Sequence, residues 1–414
     1  MLEVFFIVIV VLSAASMATT LASHVSLHLT VGRRPCARAY APSISILKPL
    51  KGHDEGLHDN LVSLVTQQYP GRFEVLLGAA DADDPALAVA RRIRRAYPEV
   101  CIRIVPGRSG PGLNPKVANL DALSSAARFP NLLVSDSNVR VGPEYLRRTA
   151  AELHDERVGL VSNVLVGTGE RSFGATLENL HLGSFVAGAV CGAQVLANHP
   201  VVVGKSMLMR RQALEDAGGF RGVEDVLGED YLLGRKIHDA GHRVVLSAEI
   251  ITTCNERWPA RQFLARHLRW SQMRRWIAPP AYACEPLLNP IPTLMVAAAF
   301  AALHSGSLLS LSSTLWVRAA LLGIALKIMA DLFALHRLRG TGPRGLAPLW
   351  IPLKDLMVLG LWLGGWFMRT VQWRGNRMRV GPGSSLSPID PAPRRVARPI
   401  VTSPVAEELV DEAA

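Results

Sequence analysis

The sequence lacks the short motifs that mark several common classes of protein. Its five cysteines are scattered and include no CxxC pair, so neither a zinc site nor a disulfide framework is indicated, and a reducing compartment fits best. It contains no Walker motif and no dinucleotide-binding glycine fingerprint. The glycine-rich run at residues 107–112 is not followed by GK[ST], so it is a weak phosphate signal. No internal repeat is visible.

Apolar runs, in contrast, are long and frequent. The chain has 414 residues, of which 49% are hydrophobic, enough for one sizeable domain and a few membrane spans. Residues 1–28 carry no charge except Glu3, and Arg33 and Arg34 follow directly. This pattern predicts a transmembrane helix at residues 1–30 with its C-terminal end in the cytoplasm. A cleaved signal peptide is the alternative, but its charge order would be the reverse.

The net charge of +11 is distributed unevenly. Basic residues concentrate at residues 257–275 and 369–379, beside apolar segments, where anionic lipid head groups would attract them. We therefore expect a membrane surface as a partner, and not nucleic acid.

Residues 43–245 alternate short apolar strands with helical stretches, which predicts an α/β domain with a mostly parallel sheet at residues 40–285. Asp81 follows the strand FEVLLGAA, and Asp136 follows NLLVS. In open α/β sheets the ligand lies beyond the carboxyl ends of the strands, so both aspartates should face one crevice.

The C-terminal third, residues 286–372, reads as a membrane region. Apolar runs at residues 287–311 and 315–335 predict a hairpin of two spanning helices, in which Lys327 and Asp331 lie four apart and could pair or snorkel. The run at residues 346–368 is interrupted by Lys354 and Asp355, leaving about 13 uncharged residues, which favours a re-entrant or interfacial helix pair. The segment 380–414 is expected to be a disordered tail.

Several carboxylates have the spacing of a catalytic site. Asp136 and Asn138 would offer one carboxylate and one amide oxygen to Mg²⁺ or Mn²⁺, although a strand-end aspartate that caps the next turn is the alternative. Asp81 is predicted to contact the base or ribose of a bound nucleotide. Asp84 is placed to cap the helix that begins after it. Asp230 in GEDY is the candidate general base, unless it only caps its own helix.

Basic residues complete the pattern. Lys48 and Lys51, at the end of the first strand, could reach a uracil or phosphates, or could be solvated surface lysines. Arg266, Arg269 and Trp270 lie on one helix, where guanidinium groups would bind phosphate oxygens and the indole would face a sugar or nucleoside. A lipid-docking basic helix is the alternative. The order of these segments suggests a nucleotide-sugar glycosyltransferase.

An ordered set of short stretches carries a resemblance to a known family. They include KPLKG at Lys48, DADDPA at Asp81, NPKVANL at Asn114, SDSNVRV at Ser135, ATLEN at Ala175, GKSMLMRR at Gly204, GEDY at Gly228 and RHLRW at Arg266. Together they resemble the ceramide glucosyltransferases and, among bacterial relatives, the hopanoid-biosynthesis glycosyltransferases of the same family.

The resemblance implies a GT-A fold, an inverting mechanism, a UDP-sugar donor and a lipid acceptor reached from the membrane. It implies that Asp81 contacts the nucleotide, Asp136 the metal-bound diphosphate, and that Asp230 is the catalytic base. It places Lys116 in the donor loop and matches residues 266–270 to a (Q/R)xxRW motif. The triplet D-S-N replaces the D-x-D of most relatives in the wider fold, which leaves one carboxylate for a metal.

The resulting hypothesis is that the protein transfers one sugar from a UDP donor to a hydroxyl group of a lipid. N-acetylglucosamine is favoured over glucose as the sugar, and a hopanoid polyol is favoured over ceramide as the lipid. The domain would face the cytoplasm from a bacterial inner membrane. A processive polysaccharide synthase is the enzymatic alternative, and a non-catalytic membrane scaffold is the alternative from another class.

Overall fold

A computed structural model describes residues 1–33, 40–107, 112–303, 310–343, 345–373 and 376–389. The helices are α1 Leu2–Val31, α2 Leu57–Val65, α3 Ala86–Ala96, α4 Pro115–Ala126, α5 Tyr145–Ala151, α6 Phe173–His181, α7 Ala187–Ala197, α8 Arg211–Asp216, α9 Glu229–Asp239, α10 Ala260–Ile277, α11 Pro279–Cys284, α12 Pro290–Leu303, α13 Ser310–Arg339 and α14 Ile351–Phe367. The strands are β1 Ile44–Leu50, β2 Phe73–Ala79, β3 Cys101–Ile104, β4 Asn131–Ser135, β5 Val139–Arg140, β6 Val158–Thr168, β7 Ser206–Arg210, β8 Arg243–Cys254, β9 Thr370–Trp373, β10 Asn376–Val380 and β11 Leu386–Pro388.

An eight-stranded sheet in the order β3-β2-β1-β4-β7-β6-β8-β5 forms the centre of the main domain. Strands β7 and β5 run antiparallel to their neighbours, and the other six share one direction. Successive side chains of a strand point to opposite faces, so Ile46 joins one apolar core and Leu47 the other. The predicted α/β class with a mostly parallel sheet is confirmed.

The sheet brings distant segments of the chain to one edge. Strand β4 pairs in parallel with β1 and antiparallel with β7, so that Ser135 at the end of β4 lies opposite Ser206 at the start of β7. Asp136 therefore emerges beside Gly204 and Lys205, which precede β7. The carboxyl end of β4 is the place where the sheet changes strand direction.

Within the described residues, four helices are long and apolar enough to cross a membrane, judged by length and composition: Leu2–Val31, Phe173–Ala197, Thr314–Arg339 and Ala347–Phe367. The sequence pattern predicted the first and third, but it did not single out Phe173–Ala197. A further pair, Pro279–Leu288 and Pro290–Leu303, is bent by 57°. The first helix of the predicted hairpin was expected at residues 287–311. Its described part is the 14-residue helix α12, which follows the bend. Residues 304–309 of the predicted turn lie outside the described residues.

The segment expected to be a helix pair is one helix, α14, preceded by a single 3₁₀ turn. Near its start, Lys354 donates to Ser184 Oγ at 3.2 Å, and near its end the Gly365 carbonyl accepts from Arg275 at 3.3 Å. Helix α14 thus contacts the candidate span Phe173–Ala197 near its start and α10 near its end, and with the turn before it α14 is a candidate span itself. The re-entrant or interfacial placement stays a prediction.

The two charges that interrupt this apolar run are buried against other charges. Lys354 Nζ lies 2.8 Å from Asp355 Oδ1, and Lys327 contacts both Asp355 and Asp331, with 2.6 Å between Lys327 Nζ and Asp331 Oδ2. His24 Nε2 of α1 lies 3.2 Å from Asp331 Oδ1. We call these five residues the buried charge cluster. Because Lys354 and Asp355 are paired with opposite charges, α14 can include them without exposing a charge to an apolar surface.

The prediction of a disordered tail at residues 380–414 is wrong for its first part. Strands β9, β10 and β11 form a three-stranded sheet, and the turn between β10 and β11 packs on the loop before α9. The N–H of Leu227 donates to the Ser384 carbonyl at 2.9 Å, and the N–H of Gly228 to Ser384 Oγ at 3.1 Å. Val371, Met378 and other apolar side chains of this sheet are buried, which explains its order. Residues 390–414 lie outside the described residues.

Candidate active site

A cleft of about 700 Å³ opens where β4 ends and β7 begins. This volume is in the range of sites for small molecules. The residues predicted from the sequence that line it are Lys116, Asp136, Asp230, Arg266, Arg269 and Trp270. Lys205 and Glu229 line it as well. The structure thus gathers six of the predicted residues, from four separate segments, around one cavity.

Asp136 is held between two lysines. Its Oδ1 lies 2.9 Å from Lys116 Nζ, and its Oδ2 lies 2.9 Å from Lys205 Nζ. Lys116 is also 3.0 Å from Glu229 Oε1. Burial opposes ionisation of Asp136, but the two ammonium groups outweigh it and hold the pKa of this carboxyl far below its ordinary value. We call Lys116, Lys205, Asp136, Glu229 and Asp230 the cleft network.

The NPK segment places Lys116 through a helix cap. Asn114 Oδ1 accepts hydrogen bonds from the N–H groups of Lys116 at 3.0 Å and Val117 at 3.3 Å, and Pro115 occupies the first helical position. The Asn114 amide donates to the Val226 carbonyl at 2.9 Å. This link ties the start of α4 to the loop before α9, so Lys116 faces the acids at the start of α9.

Asp230 lies in the first turn of α9. Its Oδ2 accepts from the N–H of Gly204 at 2.9 Å, and its Oδ1 accepts from the N–H of Tyr231 at 2.8 Å. A Cβ at Gly204 would lie 2.3 Å from Asp230 Oδ2, so only glycine permits this approach. Burial, and then the negative charge of Glu229, raise the pKa of Asp230 to about 6, although Lys116 opposes them.

Glu229 lines the cleft together with its neighbour in the chain, Asp230. Its Oε1 pairs with Lys116, while Asp230 turns to the backbone of Gly204, and both side chains line the cavity. At the first turn of a helix, adjacent residues can both reach the space in front of the helix end. The two carboxylates consequently repel each other across the site.

Helix α10 supplies the basic and aromatic wall. The Arg266 guanidinium carbon lies 5.2 Å from the ring centroid of Trp258 and 4.7 Å from that of Trp270. Glu178 Oε1, which is fully buried on α6, lies 3.1 Å from Arg266 Nη1, and Glu178 Oε2 lies 2.7 Å from His267 Nε2. Arg266 is thereby fixed on three sides with the guanidinium at the cleft.

Apolar side chains form another part of the cleft wall. They include Val186, Ala189 and Val190, which belong to the candidate span Phe173–Ala197, and Ile277 and Ala281. A charged end and an apolar wall from a potential membrane helix therefore share one cavity.

Asp81 is not among the residues that line this cleft. It is exposed two positions beyond β2, and its Oδ1 accepts from the N–H of Asp83 at 3.0 Å. Asp84 accepts from the N–H groups of Gly52 at 2.8 Å and Ala86 at 2.9 Å, which fits the capping role expected for it. Asp81 stands at the same sheet edge as Asp136, two strands away, and its contact with a nucleotide stays a prediction.

The two lysines of KPLKG lie in different environments. Lys48 is fully buried and donates to Ser135 Oγ at 3.3 Å and to the Val139 carbonyl at 3.2 Å, behind the end of β4. Burial lowers the pKa of Lys48 to about 7, against the opposing effect of Asp136. Lys51 is exposed just beyond β1. Neither lines the cleft, and their predicted donor contacts stay predictions.

Sequence reasoning missed Lys205, Glu229 and Glu178 as site residues. All three were present in the stretches that carry the resemblance: GKSMLMRR, GEDY and ATLEN. The available signal was position: Lys205 directly precedes a buried strand next to β4, and Glu178 is a charge within an apolar helix. Neither pattern reveals which partner the charge will meet.

Asp136 and Asn138, the residues predicted to hold a metal ion, could bind one only if a substrate supplies further ligands. Lys205 Nζ lies 2.7 Å from Asn138 Oδ1 and also pairs with Asp136. Within the described ranges no group of three or more His, Cys, Asp or Glu could hold an ion. A single carboxylate at a cleft wall suits Mg²⁺ or Mn²⁺ whose remaining ligands are water and substrate phosphates.

The chain is similar to several known proteins. The model of the family described as Glycosyl transferase family 21 matches residues 5–386. Ceramide glucosyltransferase 3 of Caenorhabditis elegans is 26% identical over 357 residues, which cover 84% of this chain and 74% of the relative. Ceramide glucosyltransferase of Komagataella phaffii is 31% identical over 193 residues, 42% of this chain and 38% of the relative. A mannosyltransferase from Pyrobaculum calidifontis, solved with GDP-Man and Mn²⁺, is 19% identical, with 86% of this chain and 99% of that chain covered and a TM-score of 0.49.

Proposed function

The chain belongs to glycosyl transferase family 21 and is a glycosyltransferase with a GT-A fold, and on that premise we propose that it transfers one sugar from a UDP-sugar, with inversion, to a hydroxyl group of a membrane lipid. From the sequence we favour UDP-N-acetylglucosamine and a hopanoid polyol. The names of the relatives, ceramide glucosyltransferases, support UDP-glucose and ceramide as the other pair.

One observation carries the proposal: the cleft combines a carboxylate of raised pKa, five lysine and arginine side chains and apolar side chains. The lysines and arginines are Lys116, Lys205, Arg266, Arg269 and Arg274. Such a cavity can hold a diphosphate at its charged end and admit a lipid along its apolar side. A scaffold would have no need to keep these groups around an open space.

The diphosphate gains negative charge as its bond to the sugar breaks, and fixed positive groups stabilise that charge. Arg266 is already held by Glu178 and two indole rings. Lys116 and Lys205 pair with Asp136, and phosphate oxygens would take over part of these interactions. A divalent cation, held by Asp136 and Asn138 together with the phosphates, would add further positive charge when bound.

Asp230 acts as the general base. The lipid hydroxyl attacks the anomeric carbon from the face opposite the UDP group, its proton passes to the Asp230 carboxylate, and the sugar–phosphate bond breaks to release UDP. The raised pKa makes the carboxylate a better proton acceptor while it stays ionised at neutral pH. Gly204 holds it in place through the backbone N–H.

We place this domain on the cytoplasmic side of a bacterial inner membrane. Helix α13 ends with Arg337 and Arg339, and Arg337 Nη2 lies 3.4 Å from the carbonyl of Val31 at the end of α1. The basic ends of two candidate spans thus lie together, and basic residues favour the cytoplasmic side.

The test offers labelled UDP-glucose and UDP-N-acetylglucosamine to purified membranes with bacteriohopanetetrol or ceramide, and resolves the lipid products by mass. A lipid carrying a single sugar is expected. Label found only in polymer would favour the processive synthase instead, and no transfer from either donor to either lipid would overturn the proposed substrates.

A further inference from the structure

A second, smaller cavity lies beside the cleft, among α1, α12 and α14. Its volume is about 160 Å³, and its walls are mostly apolar. The side chains that line it include Ile9, Phe185, Pro292, Val296, Leu359 and Trp362. Sites for complete small ligands start at about 300 Å³, so this groove fits a segment of a larger molecule.

The groove adjoins the cleft through shared residues. Glu285 lines both cavities, and its Oε2 lies 3.0 Å from Nη2 of Arg274, which lines the cleft. Tyr282 lines the cleft and Trp362 lines the groove. They are joined by two hydrogen bonds, from Tyr282 Oη to the Trp362 carbonyl at 2.5 Å and from Trp362 Nε1 to the Tyr282 carbonyl at 2.7 Å. The cleft and the groove therefore lie next to each other, with Glu285 in the wall of both.

A buried polar group at the groove lacks a partner. Asn289 is 5% exposed and lines the groove, and its Nδ2 donates to the Asp355 carbonyl at 2.8 Å, which fixes the orientation of the amide. Its Oδ1 has no hydrogen-bond partner among the described residues. Leaving a buried acceptor unsatisfied is unfavourable, so a ligand with a hydroxyl or amide donor would be stabilised here.

We propose that this groove binds the hydrocarbon segment of the lipid acceptor next to its polar end, so that the acceptor hydroxyl passes Glu285 and reaches Asp230. This inference rests on the proposed function. Three observations support the choice of occupant: the apolar walls come from helices of the candidate membrane region, the volume suits part of a chain, and the groove shares Glu285 with the cleft that Asp230 lines. A second nucleotide would find no phosphate-binding cation among the groove residues of the described chain.

The experiment compares two tryptophan substitutions on α14. Leu359→Trp fills the groove, whereas Leu356→Trp adds the same bulk at a position that is 37% exposed and does not line the groove. Each protein is assayed in bicelles with whichever of bacteriohopanetetrol and C16-ceramide the wild type glycosylates. UDP affinity and hydrolysis of the donor by water are measured in parallel.

We expect Leu359→Trp to raise the KM for the lipid at least tenfold, with UDP affinity and donor hydrolysis within twofold of wild type, and Leu356→Trp to leave all three within twofold. Val296→Trp, on the α12 wall, should reproduce the Leu359→Trp result and decides the question if that variant does not fold. Unchanged lipid KM in the folded groove variants would overturn the groove assignment alone. Absence of lipid transfer by the wild type would overturn the proposed function and this inference together.

Discussion

The cleft network and the buried charge cluster are built from similar types of charged side chain, but the first faces a cavity and the second is enclosed between helices. Each places two lysines among carboxylates within about hydrogen-bond distance. In the cleft, Asp136 and Asp230 are partly exposed to a cavity of about 700 Å³. In the cluster, by contrast, Lys354 is 0% exposed and Asp331 1% exposed.

This difference in access separates binding from assembly. Charges at a cleft wall can exchange one partner for a ligand phosphate, because the ligand replaces what they lose. Charges sealed between helices have no such replacement, and removing one partner of a buried pair costs about 3–5 kcal/mol. The cleft network therefore suits substrate binding, and the buried charge cluster suits fixing which faces of α1, α13 and α14 meet.

The largest expected effect is on catalysis at the open site. Asp230→Asn keeps the shape of the side chain but removes the proton acceptor, so kcat should fall by about 10²–10⁴-fold. UDP affinity should change little, whereas the free energy of unfolding should fall by about 1–3 kcal/mol, because the amide NH2 cannot accept one of the two backbone hydrogen bonds that Asp230 accepts. Asp239→Asn, at the exposed end of the same helix, is the matched control and should behave as wild type. Normal turnover by Asp230→Asn would remove Asp230 from the role of base.

Lys327→Met breaks the closed site. It leaves Asp331 and Asp355 short of a cation, and we expect a loss of about 3 kcal/mol in the free energy of unfolding, with kcat per folded molecule retained. Thermal unfolding in detergent and active-fraction titration measure the two quantities. The double variant Lys327→Met with Asp355→Asn removes both charges of the Lys327–Asp355 pair and should recover part of the lost free energy of unfolding. A kcat loss without destabilisation would contradict the assembly role.

Lys205→Met is the counterpart in the cleft. It removes a charge that is available to the diphosphate, so UDP affinity should fall about 10- to 100-fold, the usual worth of a charge-assisted hydrogen bond. Because the cleft admits water, the stability change should be much smaller than for Lys327→Met. Calorimetric titration with UDP and thermal unfolding of both variants give the comparison. Equal destabilisation by the two would show that the sites do not differ as described.

The smallest effect concerns pH. With the pKa of Asp230 raised to about 6, the base is protonated as the pH falls through 6, and kcat/KM should decline there. Glu229→Gln removes a like charge that raises this pKa, so its acid limb should move to lower pH. Rates between pH 4.5 and 8 for both proteins test the shift. An acid limb that stays at the same pH would rule out the repulsion between Glu229 and Asp230.

Strand and helix patterns in the sequence were sufficient for the α/β class and for placing Asp136 at the sheet edge, but not for the expectation that Asp81 shares its crevice, because Asp81 does not line the cleft. The carboxyl ends of parallel strands meet by geometry, so any residue just beyond β4 had to lie at the sheet edge. The spacing of Lys327 and Asp331 likewise predicted their pairing, because it needed only one helix.

What the sequence could not reveal were partners that lie far apart in the chain. Lys354 and Asp355 look like an interruption in an apolar run until α13 supplies opposite charges. Ser384 looks like part of a polar tail until the loop before α9 offers its backbone N–H groups. Lys205 looks like a surface lysine until Asp136 lies beside it. In each case the deciding contact joins segments that no local pattern connects.

The contact between Ser384 and the loop before α9 has a mechanical consequence. The chain leaves the catalytic domain after Ile277, passes through the apolar helices and returns to touch the residues that directly precede Glu229. This return closes the excursion into a ring fastened at both ends. We therefore expect that tilting of the apolar helices would displace the loop beside Asp230, and with it the side chain that is proposed as the proton acceptor.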